Sequence, residues 1–386
     1  MPSTAQFPPF ETEHSLLRKT TRDWVLRELY PHRKEWDDAG EWPARKMIQQ
    51  MGELGLLGIR FPTEHGGQGL DWWFHTAMVE ELSYARNGGV VMSILVHTDI
   101  STPIISEIGT PWQIEEYLKP AMRGEKIGSL GITEPNCGSD VAAIETTARR
   151  DGDDYIINGA KTFITNGAFA DFIVLAVRTG EAGHGGISLV LFPTTTPGFS
   201  VGKKLDKLGT RAVDSSLLHF DDCRVPRKNL LGEENGGFIY IMQNFQGERL
   251  VGALMATSAM ELSISDALEY GRTRKAFKRP IGAFQVWRHK FAEHMTSLQA
   301  AKLLNYSAVQ QMETKQDPTL QVSMAKLFAG DLAQKVLYDC QQFHGGNGFM
   351  EEYDIVRTCR DMRIMPIGGG TSEIMKEIIG KWSGIG

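Results

Sequence analysis

Four segments of this chain combine residue types that could do chemistry. The first is Leu130-Gly-Ile-Thr-Glu-Pro-Asn-Cys-Gly-Ser-Asp140. A strand end runs into turn formers there. Exposed N–H groups, with the Thr133 and Ser139 hydroxyls, could hold a carbonyl-rich ring or a phosphate. Taken alone, the run reads as a structural turn. The second is Lys161-Thr-Phe-Ile-Thr-Asn-Gly167. Phe163 could stack on a planar group beside the Thr165 hydroxyl, although locally a strand with an Asn-Gly turn explains the same letters. The third, Arg272-Thr-Arg-Lys-Ala-Phe-Lys-Arg-Pro280, carries five basic residues that could take a pyrophosphate or simply end a solvated helix. The fourth is the glycine-rich tail, Gln342-Phe-His-Gly-Gly-Asn-Gly-Phe349 and Ile367-Gly-Gly-Gly-Thr-Ser-Glu-Ile374. Glycines allow close backbone approach, and a helix starting at Thr371 or Ser372 would offer its N-terminus to an anion or a carbonyl.

These segments need elements to position them. Before residue 125 the pattern is helical: Phe10 to Tyr30 (ended by Pro31), Ala44 to Leu57, Trp72–Tyr84, Val90–Gly109 and Trp112–Arg123. From Ile127 to about Val225 short β-rich runs alternate with turn pairs such as Asn158-Gly159 and Asn166-Gly167. The links are too short for parallel crossovers, so an antiparallel sheet or small barrel is expected. From Gly236 onward helical periodicity returns, with Asp317-Pro318 dividing two long helices of a bundle. The expected fold is α+β and multidomain: an N-terminal helical domain (1–125), a middle antiparallel β domain (126–235) and a C-terminal four-helix bundle (236–386). No G-x-G-x-x-G lies between a strand and a helix, which disfavours a Rossmann nicotinamide fold.

Composition narrows the class. Of 386 residues, 41% are hydrophobic and 23% charged, which excludes a disordered chain. Lys plus Arg is 41 and Asp plus Glu 47, a net charge of −6 that gives no support for nucleic-acid or anionic-membrane binding. Cys137, Cys223, Cys340 and Cys359 form no C-x-x-C pair, so neither zinc nor a disulfide framework is expected. The runs Phe172 to Val177 and Ile187 to Phe192 are too short to span a bilayer, and residues 1–19 have no apolar signal region. A soluble cytoplasmic protein without a metal is the expectation.

Taken together and in order, T-E-P-x-x-G-S-D, F-I-T-N-G, R-x-x-F near F-Q, Q-x-x-G-G-x-G and G-T-S-E-I resemble the acyl-CoA dehydrogenase family from about Glu11 to Lys381. The similarity is greatest to long-chain and isovaleryl-type members, including those acting on terpenoid acyl-CoAs such as citronellyl-CoA. The resemblance implies FAD, a homotetramer and α,β-dehydrogenation of an acyl-CoA to the trans-2-enoyl-CoA, with electrons passed to electron-transfer flavoprotein. It implies that Ile132 and Thr133 hydrogen-bond the flavin ring and that Ser139 sits by the pyrophosphate and the CoA. Phe163 and Ile164 would lie at the ring and Thr165 near its N5. Arg274, Phe284 and Gln285, with Gln342, Gly345 and Gly346 of the other chain, would reach the adenine half of a cofactor shared between subunits. Thr371 and Glu373 would contact the flavin, and Arg249 the CoA.

One departure from the family pattern locates the base. Many members carry Y-E-G-T in the tail, with that Glu as base. Here the stretch is Gly368-Gly369-Gly370-Thr371. Removing a weakly acidic α proton still needs a carboxylate. Isovaleryl- and long-chain-type members place it in E-R-L, and this chain has Gln246-Gly-Glu-Arg-Leu250, so Glu248 is the expected base. Read locally, Glu248 is a solvated residue in the first turn of a helix. Gly369 N–H could polarise the thioester carbonyl. Gly368, in place of Tyr, opens space beside the substrate's Cβ and makes a 3-methyl branch plausible, while the run Gly232 to Met242 looks more like the long-chain enzymes. A medium- or long-chain or 3-methyl-branched acyl-CoA therefore stays open. Two alternatives stand beside the dehydrogenase: a flavin oxidase of an acyl-CoA or nitroalkane on the same fold, and a non-catalytic relative that binds FAD or acyl-CoA.

Overall fold

The computed structural model describes residues 7–385. Helices lead: α1 (Thr12–Trp24), α2 (Arg33–Ala39), α3 (Ala44–Glu53), α4 (Trp72–Leu82), α5 (Gly88–Leu95), α6 (Pro103–Ile108), and the short α7 (Pro111–Gln113) and α8 (Lys119–Met122). Pro31 does not end the first helical stretch. A π-helical turn over Val25–Leu29 leads into a 3-10 turn, Tyr30–His32, and Pro31 occupies its first turn, where a missing N–H costs nothing. The path stops only at Gly40, with φ +70°. Asp71 caps α4 by accepting from Trp73 N–H (2.8 Å) and Phe74 N–H (3.0 Å). The helical run Gly88–Ile108 reaches the length and mean hydropathy (1.3) of a membrane span, which sequence inspection missed. Because 83% of it is buried inside the protein, it is a core helix here.

The strands are β1 (Gly128–Gly131), β2 (Thr147–Asp151), β3 (Asp154–Thr165), β4 (Phe172–Arg178), β5 (Ile187–Pro193), β6 (Phe199–Lys204), β7 (Ser215–Pro226) and β8 (Leu230–Leu231). They form one sheet in the order β6-β7-β3-β2-β4-β5-β8, with β1 added beside β4. Pairing is antiparallel except for β1 on β4 and the single pair Thr147–Arg178, which are parallel. β4 is buried on both faces, which explains its unbroken apolar run. Phe172, Val174 and Ala176 pack toward the helices with Ile104, Ile105 and Leu118. Ile173, Leu175 and Val177 pack the other way, against Tyr155, Ile157 and Phe220.

Next come α9 (Gly237–Thr273), the hairpin β9 (Lys275–Ala276) and β10 (Arg279–Pro280), α10 (Gln285–Glu313), α11 (Thr319–Phe343), α12 (Asp354–Met362) and α13 (Ser372–Trp382). α11 packs on α9, α10, α12 and α13. Asp317 takes N–H bonds from Thr319 (3.0 Å) and the Trp382 indole (3.2 Å), which fixes the break between α10 and α11. N-terminal and C-terminal helices share one hydrophobic core.

Asp361 on α12 staples the three regions. Its Oδ2 accepts from Gly88 N–H (2.8 Å) and its Oδ1 from Thr210 N–H (2.6 Å). A Cβ on Gly88 would lie 2.7 Å from Asp361 Cβ, and one on Gly209 2.3 Å from the Arg360 carbonyl carbon, so backbones must meet there. Burial pushes the Asp361 carboxyl up to about 6. Both oxygens accept, so Asp361→Asn must turn an NH2 toward a backbone donor. We expect a loss of about 1–3 kcal/mol, the usual penalty for a stranded buried donor, seen as a lower midpoint in thermal unfolding.

Candidate active site

The first half of the site lies where β1 meets β3. Past Gly131 the chain turns sharply, with Glu134 and Cys137 exchanging backbone hydrogen bonds of 3.0 and 3.2 Å. Lys161, fully buried on β3, donates to the Ile132 carbonyl (3.1 Å) and to Glu134 Oε1 (2.6 Å). Glu134 in turn accepts from Glu145 N–H (2.6 Å) and Thr146 N–H (2.9 Å). Thr162 N–H takes the Thr133 carbonyl (2.9 Å). Both carbonyls therefore point at β3. Thr133 N–H has no acceptor among the described residues. Ser139 stands exposed further along the turn. Burial lowers the Lys161 ammonium to about 8 against the pull of Glu134.

β3 is irregular where it carries Phe163. Its register on β7 shifts between Lys161 and Ile164, and Phe163 adopts φ +60° with its ring 66% exposed. A large aromatic held outward on a strained backbone needs a reason, and a flat ligand is one. Ile164 corrects the sequence reading: its side chain is buried in the sheet core, so it offers a ligand only its backbone. Ile132 is likewise buried and contributes main chain. Ser129 Oγ bonds the Thr165 carbonyl (2.6 Å), and Asn166 exchanges bonds with Ser93 of α5 (2.5 and 2.9 Å), locking the Asn-Gly turn.

The second half lies where the tail crosses α9 and α11. Glu248 is eleven residues into the 37-residue α9, not in a first turn and not solvated. The residue is half-buried overall, yet its Oε2 is shielded from solvent and has no hydrogen-bond partner. A Cβ built on Gly369 would lie 3.3 Å from Glu248 Oε1. A carboxylate from α9 thus ends where a side chain at 369 would begin. Burial raises the Glu248 carboxyl to about 7, against the opposing pull of Arg249 and Lys326.

Gly369 and Gly370 both adopt left-handed backbone, φ +64° and +93°, which glycine alone adopts without strain. Arg249 Nε donates to the Gly369 carbonyl (3.2 Å) and Lys326 Nζ to that of Gly370. Arg249 is 5% exposed and holds this loop. The atoms nearest a virtual Cβ on Gly368 belong to Ile364, at 3.4 Å and beyond, so a Cβ there meets ordinary contact and no clash. Thr371 caps α13, accepting from Ile374 N–H (3.2 Å). With the exposed Glu373 it lines a cavity of about 480 Å³ beside Asp331, Arg363 and Lys376.

The remaining candidates gather elsewhere. Arg274 follows the last turn of α9, Phe284 and Gln285 open α10, Gln342 lies in the last turn of α11, and Gly345 and Gly346 start the 3-10 turn after it. Arg274 lies twenty-six residues beyond Glu248 on α9, ~39 Å at the helical rise. Within one chain this group cannot touch what Glu248 touches. Arg274, Gln285, Gln342, Gly345 and Gly346 are exposed, and both glycines have open space where a Cβ would be. Sequence reasoning assigned no role to Lys161, Glu134 or Lys326. Lys161 stood inside a quoted motif, and Lys326 gave the only other signal, a Lys at a core-facing position of α11. No cluster of three or more metal-ligating side chains occurs among the described residues.

Comparison with known proteins places this geometry. Residues 11–125, 129–223 and 235–384 match the N-terminal, middle and C-terminal domain models of acyl-CoA dehydrogenase. The chain is 42% identical to the mitochondrial long-chain specific acyl-CoA dehydrogenase of Sus scrofa over 96% of its own length and 86% of that protein. It superposes on the acyl-CoA dehydrogenase of Geobacillus kaustophilus with a TM-score of 0.93 at 39% identity, covering 98% and 100% of the two chains. It also matches a Mycobacterium smegmatis glutaryl-CoA dehydrogenase solved in complex with FADH2, with a TM-score of 0.91 at 28% identity and coverage of 97% and 95%. The chain belongs to the acyl-CoA dehydrogenase family and is an FAD-dependent oxidoreductase. The outward Phe163, the free Thr133 N–H and the open glycines fit such a flat, carbonyl-rich cofactor.

Lys161 and Glu134 are a buried pair, and removing one partner of such a pair is costly. Lys161→Met is expected to cost ~3–5 kcal/mol in thermal unfolding of the flavin-free protein. FAD retained through gel filtration should fall with it, because the turn that presents Thr133 loses its anchor.

Proposed function

We propose that this protein oxidises a medium- or long-chain or 3-methyl-branched acyl-CoA to its trans-2-enoyl-CoA, with Glu248 as the base. The observation that carries this reading is the unpartnered, shielded carboxylate of Glu248 at the virtual side chain of Gly369. Glu248 takes the α proton as the β hydrogen departs with its electron pair. Bound FAD supplies the acceptor for that hydride. The free Gly369 N–H, the first of the left-handed pair, offers a donor to the thioester oxygen as charge builds there. Burial leaves Oε2 without water or partner and holds the carboxyl's affinity for a proton high enough to act near neutrality.

Space favours a long or branched chain. Gly368 adds no side chain beside Ile364, and Gly252, one turn along α9 from Glu248, has nothing within 4 Å of its virtual Cβ. We further propose electron-transfer flavoprotein as the acceptor and a homotetramer as the working form. The separation of Arg274 and Gln342 from Glu248 supports a cofactor completed by a second copy. So do the exposed Phe277 (90%) and Phe349 (81%) at that end of the bundle.

Anaerobic titration with octanoyl-, palmitoyl-, isovaleryl- and citronellyl-CoA tests the proposal. The yellow protein should bleach with at least one, and the best substrate settles chain length and branching. Glu248→Gln should stay yellow, with a rate lower by about 10²–10⁴. Bleaching with none would sink the substrate class. The wild-type rate should climb with pH through about 7, because only ionised Glu248 accepts the proton.

A further inference from the structure

Lys326 sits where a lysine has no ordinary reason to be. On α11 it shares a face with Val322, Ala325 and Ala329, each fully buried, and is itself 6% exposed. A buried ammonium is costly unless it is paired. No carboxylate bridges to Lys326 among the described residues, and its one acceptor is the carbonyl of Gly370. The neighbouring Asp331 is engaged with Ser372 Oγ at 2.8 Å. Lys326 therefore spends its burial on holding a backbone carbonyl in the tail loop.

That carbonyl is the second of a consecutive pair. Arg249 holds the first, at Gly369. The two peptide planes, set by left-handed glycines, turn their opposite edges away from the cations. The N–H groups of Gly369, Gly370 and Thr371 then have no acceptor among the described residues. Three successive free N–H groups are available to an anion or a developing negative charge. A charge-assisted bond on an amide carbonyl also polarises the N–H of the same amide. Arg249 acts in this way on Gly370 N–H and Lys326 on Thr371 N–H. Glu248 Oε1 lies beside this run, 3.3 Å from the virtual Cβ of Gly369.

We propose that Lys326 is a positioning residue for the reaction: paired with Arg249, it clamps the Gly369–Gly370 carbonyls so that the loop presents its N–H groups, and a net positive field, to the oxygen that gains charge when Glu248 takes the α proton. The inference rests on the reading of Glu248 as base. The charge balance is consistent with it. Before transfer the site holds one carboxylate and two cations. As the proton transfers, Glu248 becomes neutral and negative charge builds on the substrate oxygen beside the same two cations, before it leaves with the hydride. The charged groups around Glu248 are Arg249 on its own helix and Lys326 on α11. Lys326 also feels Asp331 on α11 and Glu373 on α13. Losing its charge makes Glu248 harder to ionise, so the acidic limb of the rate profile must move to higher pH.

The test is anaerobic single-turnover flavin reduction by a saturating reactive acyl-CoA, followed across neutral pH, in Lys326→Met and Lys326→Arg. The Met variant is expected to keep its FAD, react about 10²-fold more slowly at its pH plateau, and show its acidic limb shifted upward with KM little changed. The Arg variant, which keeps charge and donors, should recover most of the rate and the wild-type limb. If the Met variant does not fold, Lys326→Gln, neutral but still a donor, must show the same upward shift. A Met or Gln variant with the wild-type rate and limb overturns the inference, as does an Arg variant as impaired as the Met variant. Glu248→Gln is run alongside. If it reduces flavin at the wild-type rate, the base assignment has failed and the inference falls with it; if it is inert while Lys326→Met is unaffected, only the role of Lys326 falls.

Discussion

The proposed chemistry depends on one carboxylate, Glu248, whose Oε2 is kept from water without a partner. An ionised side chain gives up hydration only when something replaces it or when it holds its proton more tightly. Glu248 holds its proton: its Oε2 accepts no hydrogen bond, and its affinity for a proton sits near neutrality. Much of the surrounding structure follows from that constraint. A side chain at 369 would crowd Glu248 Oε1 and would sit on a left-handed backbone, φ +64°. Two consecutive residues must tolerate left-handed backbone for their carbonyls to face Arg249 and Lys326. α9 must run long past the tail, because it carries Glu248 in its first half and leads to Arg274 at its far end.

The β domain answers a different demand. A flat cofactor needs donors on one edge and an apolar surface against its face. Lys161 and Glu134, themselves inaccessible, hold the strand end so that Thr133 turns its N–H outward. The bulge in β3 places Phe163 in the open at a conformational cost that regular pairing on either side absorbs. Asp361 then joins this domain to the helices through backbone donors from two other regions, where adjoining glycines allow the close approach.

Much of this was legible in the residue pattern. The order helices, sheet, helices follows from periodicity, and the break at Asp317-Pro318 from turn chemistry. The tail's missing Glu was visible as Gly369, and E-R-L pointed to Glu248. Less visible was anything set by contacts across long sequence separations. Ile164 reads like its neighbours Phe163 and Thr165, and only the bulge shows that its side chain turns into the core. Arg249 reads as a ligand contact, and only the fold brings the Gly369 carbonyl to its Nε. Lys326 and Lys161 are single charged letters in ordinary helix and strand patterns, and their meaning lies in carbonyls 44 and 29 residues away. The helix from Gly88 to Ile108 was legible as Val90–Gly109, but its span-like apolar length was not, because the polar residues His97 to Ser101 interrupt the apolar run without breaking the helix.

The claim that Glu248 moves the substrate's α proton is open to direct measurement. The protein would be incubated in deuterated water with an acyl-CoA whose β position cannot give up hydride, and deuterium uptake at the α carbon followed by mass spectrometry. The account predicts steady incorporation with the wild-type protein and background incorporation with Glu248→Gln. Exchange at the wild-type rate in Glu248→Gln would contradict it and place the base on another residue.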